Sequence, residues 1–321
     1  MKARRGVALL AALWLVVAIA AVALQFSIEA HERRNIGILA SERGIQRAAA
    51  MGALALIQAQ MDQALRGAPT GTSPVIAMLS ASDPWNNADS RWSGPVFVDS
   101  MKVDVQARDL GEKLNINRMN EVQIQTFFSF LLADFEASTK LSQAILDWRD
   151  ADSIPRPSGA ERDDYIKAER LALPTNAPFR EIEELQDVMG MTPEIYEKAV
   201  PYLTTHGVAG VNLNTAPVPV LRALPGMTDA TLNMILQLRS QGRRISDISQ
   251  IFSNAGRGGR PAPGQLNTPA VLSQFQSGTS TTTTDVELTI TARVGPQAPP
   301  TKLTAIIRHP GGTVQITSKQ W

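Results

Sequence analysis

The chain has 321 residues, with 31 Lys plus Arg against 30 Asp plus Glu and 44% hydrophobic residues; that supplies ordinary cores and, by length, about two domains beyond any anchor. The near-balanced charge gives no support to a general nucleic-acid or acidic-substrate binder. The sequence has no cysteine, and His31, His206 and His309 are scattered, which excludes a disulfide framework, an iron–sulfur cluster, a thiolate zinc site and a cysteine nucleophile, and leaves no histidine ligand spacing.

The first element is an apolar run from Val7 to Phe26, VALLAALWLVVAIAAVALQF, preceded by Lys2, Arg4, Arg5 and Gly6. At about 1.5 Å per residue it is long enough to cross a bilayer core of about 30 Å. The basic flank predicts that the first six residues stay in the cytoplasm and the rest of the chain lies outside. A buried core helix and a removable signal peptide, with Ala21-Val22-Ala23 as a cleavage site before Leu24, are the competing readings. Against the signal peptide, the run leads straight into a helical pattern. Ile38, Ile45, Ala49, Gly52 and Leu56 form one stripe, Leu54, Ile57, Met61 and Leu65 a second, and no proline precedes Pro69. This predicts one helix from Val7 to about Leu65, half in lipid and half packed on an external domain.

Basic residues, a glycine and an apolar helix running into an amphipathic one resemble the leader and stalk of type IV pilins and pseudopilins. The resemblance implies that a prepilin peptidase cuts between Gly6 and Val7, with methylation of the processed protein. Pilins usually carry glutamate at the fifth mature position; here that position is Ala11. A carboxylate in the membrane costs about 2.5 to 3.5 kcal/mol unless paired, and in the family its partner is the N-terminal amine of a neighbouring subunit. Lacking it, the chain resembles pseudopilins that sit at a filament tip.

Gly67 to Gly94 reads as a connection rich in Pro, Gly, Ser and Asn, with Trp85 and Trp92 able to pin it to the domain. Val96, Val98, Met101, Val103 and Val105 then alternate, with a one-step slip at Ser100 that suits a bulge or turn, and Leu114 and Ile116 form a shorter strand. From Met119 to about Phe275 the pattern is predominantly helical. Strands return at Val286, Leu288, Ile290 and Ala292, at Leu303, Ala305 and Ile307, and at Val314 and Ile316, with Pro299-Pro300 and Pro310-Gly311-Gly312 as connections. The expected fold is α+β: a transmembrane and stalk helix packed on a small antiparallel sheet, with a large all-α domain inserted. The expected divisions are a leader at 1–6, a membrane segment at 7–28, a first sheet part at 29–117, the insert at 118–276 and the last strands at 277–321.

The helical block contains a repeat. Aligning Gly190 with Gly226 pairs Leu185 with Leu221, Met191 with Met227 and Thr192 with Thr228. Each copy reads as helix, glycine turn, helix, and resembles the helix-hairpin-helix motif, which offers backbone N–H groups to a nucleic-acid phosphate. The second copy, preceded by Asn212-Leu213-Asn214-Thr215-Ala216, resembles that of DNA-uptake receptors. Both copies have Gly-Met-Thr where the phosphate grip needs a second glycine. A structural repeat is favoured over a DNA-binding one, for which Arg239, Arg243, Arg244, Arg257 and Arg260 are the candidate cations.

One loop carries concentrated charge. Asp147 to Tyr165, DWRDADSIPRPSGAERDDY, brings Asp147, Asp150, Asp152, Glu161, Asp163 and Asp164 around a Pro/Gly-rich turn. Carboxylates without His or Cys suit a hard cation, calcium above all, although the spacing is not that of an EF-hand. A solvated acidic loop neutralised by Arg149, Arg156 and Arg162 is the equal alternative. No nucleophile with a positioned histidine and no phosphate loop accompanies these acids, so an enzyme is not expected.

Asp147-Trp148-x-Asp150-x-Asp152 followed by Gly159-Ala160-Glu161 and Tyr165 resembles the type II secretion minor pseudopilin family called general secretion pathway protein K. So do Asn176-x-Pro178-Phe179 with Glu184-Leu185, Val188-x-Gly190-Met191, and Asn212-x-Asn214-Thr215-Ala216 with Leu221. The resemblance implies a non-catalytic, single-pass inner-membrane protein with its bulk in the periplasm. It also implies calcium in the α-domain, a tip complex with minor pseudopilins of types I and J, and no nucleic-acid partner. On that basis Asp150, Asp152, Glu161, Asp163 and Asp164 are the candidate ligands, with Arg162 standing where relatives commonly have an acid. An exported DNA-binding protein of the uptake type is the alternative.

Overall fold

The computed structural model describes residues 3–66, 92–207, 210–248, 250–251, 269–295, 298–308 and 314–321. The first helix, α1, runs unbroken over Ala3–Arg66, 64 residues and about 96 Å at the standard rise. Its apolar first part is long enough to cross a membrane and stands clear of the rest of the protein, with Trp14 72% and Phe26 68% exposed. Packing begins at Gln46, from which Ala49, Ala50, Ala53, Leu54, Ile57 and Met61 are buried against the sheet. Burying Leu54, Ile57 and Met61 contributes about 1.5–3 kcal/mol each. Polar bonds set the helix register: Gln46 donates to the Pro299 carbonyl and accepts from Thr301, Gln58 donates to the Val314 carbonyl, and Asp62 accepts from the Val314 amide.

Strands β1 (Gly94–Val98) and β2 (Met101–Asp109) form a hairpin. The slip at Ser100 is its turn, with Asp99 at φ 50°. Within the insert, β3 (Leu114–Asn115) pairs in parallel with β4 (Leu203–Thr204), and β5 (Val211–Asn212) with β6 (Thr279–Ser280). Strands β7 (Asp285–Ala292), β8 (Thr301–Arg308) and β9 (Gln315–Gln320) complete the main sheet, antiparallel throughout in the order β1-β2-β7-β8-β9. Val103, Val105 and Ala107 of β2, Val286, Leu288 and Ile290 of β7, and Leu303, Ala305 and Ile307 of β8 face α1 in one core, which Trp92 joins. Trp85 and the Pro310-Gly311-Gly312 connection lie outside the described residues.

The insert therefore leaves between two adjacent strands, β2 and β7. It departs after Asp109 and returns at Asp285, a wider span than the 118–276 expected, because Leu114 and Ile116 pack within the insert's core rather than on the sheet. Among the described residues its helices include α2 (Glu121–Leu132), α3 (Phe135–Arg149), α4 (Arg162–Lys167), α5 (Pro193–Ala199), α6 (Val218–Arg222), α7 (Asp229–Ser240) and α8 (Pro269–Gly278). Asn120 and Gln123 form a capping box at the start of α2, and Asp134 caps α3 by accepting from Ala137, each satisfying amides that a helix start leaves open.

A buried carboxylate at the end of β2 ties that strand to the insert. Asp109, 2% exposed, accepts at Oδ2 from Asn212 Nδ2 at 2.6 Å, Thr215 Oγ1 at 2.8 Å and Thr283 Oγ1 at 3.0 Å, and at Oδ1 from the Gly111 amide at 2.9 Å. Burial raises its pKa above the ordinary 3.8, while these donors pull it down. Asn214 next door bonds both ways with the backbone of Ile245 and donates to the Thr281 carbonyl. The Asn-Leu-Asn-Thr-Ala motif is thus occupied in fastening the insert to the sheet.

Candidate functional site

The charged loop sits between the end of α3 and the start of α4, and an aromatic cluster holds it. Trp148 stacks on Phe179 at 6.3 Å and meets Tyr165 edge-on at 5.5 Å. Tyr165 is fully buried, accepts from the Met189 amide at 2.7 Å, and has its pKa pushed up to about 12, chiefly by burial. These contacts fix the spacing of the Asp-Trp and Gly-Ala-Glu elements. Gly159 is required by close approach: a Cβ there would lie 1.9 Å from Asp147 Oδ2. Asn176, in the left-handed region at φ 47°, donates its side-chain amide to the Asp152 carbonyl and its backbone amide to Trp148. Gln143 accepts from the Ser158 amide.

Of the candidate ligands, the structure brings together Asp150, Asp152 and Glu161, each with an oxygen within 4.8 Å of the others. Asp163 is exposed and Asp164 accepts from the Glu161 amide while pairing with Lys167; neither belongs to this group. Placed on the first turn of α4, they serve its N-terminus instead. Glu161 is 4% exposed, and both of its oxygens, with Asp150 Oδ1, are buried without a hydrogen-bond donor in good geometry. Burial, then the charges of Asp147 and Asp150, raise the Glu161 pKa, opposed by the approach of the Arg162 amide. Asp152 is exposed and accepts from the Ile154 amide, but the buried oxygens of Glu161 and Asp150, short of well-placed donors and close to like charge, are costly unless a cation joins them, and an all-oxygen set fits a hard one.

The three arginines of the alternative reading behave differently. Arg156 Nη1 bridges Asp147 Oδ1 and Asp150 Oδ2, both at 2.5 Å. Arg149 points away to the Met119 carbonyl; burial, then Arg156, push its pKa down to about 10. Arg162 is exposed. Neutralisation is therefore partial and centred on Asp147, leaving the Glu161 side uncompensated. The bridging of Arg156 and the support from Asn176 and Gln143 were not visible in the sequence, where Asn176 stood out only as part of a motif.

The repeat is confirmed in its turns. Gly190 and Gly226 take φ 87° and 72°, and Thr192 and Thr228 follow as N-caps that accept from the Ile195 and Thr231 amides. The first copy opens with a 3-10 turn, Ile182–Asp187, in place of an α-helix. Threonine at the cap takes up an amide that a phosphate would otherwise approach. Arg239 donates to the carbonyls of Leu213 and Ala216, and Arg244 to that of Thr281. These two candidate DNA cations are thus engaged in the fold; Arg257 and Arg260 lie outside the described residues.

Residues 110–207 match the family model for type II secretion system (T2SS), protein K. This stretch is similar to a type II secretion system protein K domain. Similar whole proteins are the protein K of Pectobacterium carotovorum, 29% identical over 47% of this chain and 54% of the relative, and that of Dickeya chrysanthemi, 35% identical over 36% and 34%. A putative protein K of Escherichia coli K12 is 26% identical over 74% of this chain and 75% of its own length. The chain thus spans about half the length of the first of these relatives and a third of the second. Its fold is that of a chain in the crystal structure of the GspK-GspI-GspJ complex from the enterotoxigenic Escherichia coli type 2 secretion system, with a TM-score of 0.63 and 18% identity over 87% of this chain and 97% of that one. The resemblance drawn from the motifs is borne out, and the stalk-and-sheet fold with it.

Proposed function

We propose that the chain is a minor pseudopilin of a type II secretion system, anchored in the inner membrane by α1 with its sheet and insert in the periplasm. Its work is positional rather than catalytic: with minor pseudopilins of types I and J it forms the tip of, or initiates, the periplasmic pseudopilus during export of folded proteins across the outer membrane. The observation that carries this reading is the large insert leaving between β2 and β7 of a sheet mounted on a membrane-length helix. A subunit with that bulk above its sheet and alanine at position 11 is suited to end a stack rather than to continue it. The protein K relatives support the same assignment.

Ala11→Glu is expected to leave the protein inserted but to change filament initiation or length; normal assembly and secretion in that variant would contradict a tip role. Processing between Gly6 and Val7 predicts a mature chain beginning at Val7, read by N-terminal sequencing, whereas Leu24 would mark an ordinary exported protein.

Asp150, Asp152 and Glu161 would hold calcium. The ion would supply compensating positive charge to three carboxylates and tie the α3–α4 loop together. Calcium binding by the full chain in detergent, followed by equilibrium dialysis, tests this part separately from the tip role.

A further inference from the structure

Asp147 is the most deeply buried acid of the loop, with a side chain 0% exposed, yet it is not one of the three grouped carboxylates. Its position explains why. Gly159 packs against Oδ2 so closely that no side chain could stand there; the Arg156 amide also donates to Oδ2, and the guanidinium takes Oδ1. The same nitrogen takes Asp150 Oδ2 and leaves Asp150 Oδ1 buried without a hydrogen-bond partner. Burial works against the arginine's charge, but the bonds to Asp150 and Asp147 outweigh it and hold its pKa above the ordinary value.

We infer that Arg156 is a resident counter-cation of this centre: it withdraws Asp147 and one oxygen of Asp150 from the metal and sets how tightly the remaining carboxylates bind a divalent ion. Four carboxylates and one fixed guanidinium leave a net charge of minus three, against minus four without it. An arginine is suited to the role because one guanidinium nitrogen, Nη1, bridges the two carboxylates while the group remains charged at any working pH. The chain thereby keeps this loop in order in the ion's absence, at the cost of repelling the ion it then takes up. This rests on the calcium reading above, and its test separates the two.

The test uses the full chain in detergent and calcium alone as probe, with dissociation constants from equilibrium dialysis and melting temperatures with and without chelator. Arg156→Gln is expected to bind calcium about tenfold tighter or more, since one positive charge beside the ion is removed, and to melt lower than wild type in chelator but not in saturating calcium. Arg156→Lys keeps the charge and is expected to bind within about threefold of wild type; it also serves if the glutamine variant does not fold. Unchanged or weaker calcium binding by Arg156→Gln, or equal tightening by both variants, would overturn the inference while leaving the calcium site standing. No calcium binding by wild type or either variant would overturn both.

Discussion

Two buried carboxylates, one at the edge of the insert and one inside it, meet opposite fates. Asp109, at the junction with the sheet, accepts from four donors. Glu161, at the α3–α4 loop, has both oxygens buried with no donor in good geometry and two other acids beside it. A buried acid with its hydrogen bonds complete is a fastening. One left open among like charges is costly in isolation, and marks the place where a cation belongs.

Substitutions should separate the two sites. The largest effect is expected at Gly159→Ala, whose added methyl must displace the Asp147 carboxylate; we expect about 3 kcal/mol of lost stability in chemical denaturation, with loss of calcium binding. Asp109→Ala strands three side-chain donors and one amide. It should cost about 2–3 kcal/mol yet leave the calcium affinity as in wild type, and a parallel loss of affinity would mean the two sites are not independent. Tyr165→Phe leaves the Met189 amide without its acceptor and should cost about 1–2 kcal/mol.

The smallest effect is pH-dependent. Burial raises the folded-state pKa of Asp109 above 3.8, so its ionisation opposes folding: stability is unaffected below about 3.8 and falls as pH rises from there through the folded pKa. Thr215→Val removes one of the donors that hold this rise in check. The variant should therefore lose more stability at pH 7 than at pH 4, by about 1 kcal/mol, as read by denaturation at the two pH values. An equal loss at both would show that Thr215 does not act through the carboxylate.

Much of this was legible in the sequence. The unbroken α1, the alternation in β2, β7 and β8, and the turns at Gly190 and Gly226 follow from period and from glycine placement, which are local properties. The loop was legible as a carboxylate cluster but not as a geometry. Asp163 and Asp164 share its sequence neighbourhood, yet the turn into α4 points them to solvent and to the helix start, while Arg156 claims Asp147 from nine residues away. The junction was the least visible part. Asp109 finds Asn212, Thr215 and Thr283 only because the insert closes on itself across more than a hundred and seventy residues, and no local pattern announces such a contact.

The most direct measurement of the central claim is the calcium-dependent shift in melting temperature of the full chain in detergent, wild type against Glu161→Gln. At a hundredfold excess over the dissociation constant the ion should stabilise wild type by about 2.7 kcal/mol, whereas the variant should show no shift and, freed of one repelling charge, melt in chelator no lower than wild type. A wild-type chain indifferent to calcium, or a Glu161→Gln variant that responds to it fully, would contradict the account.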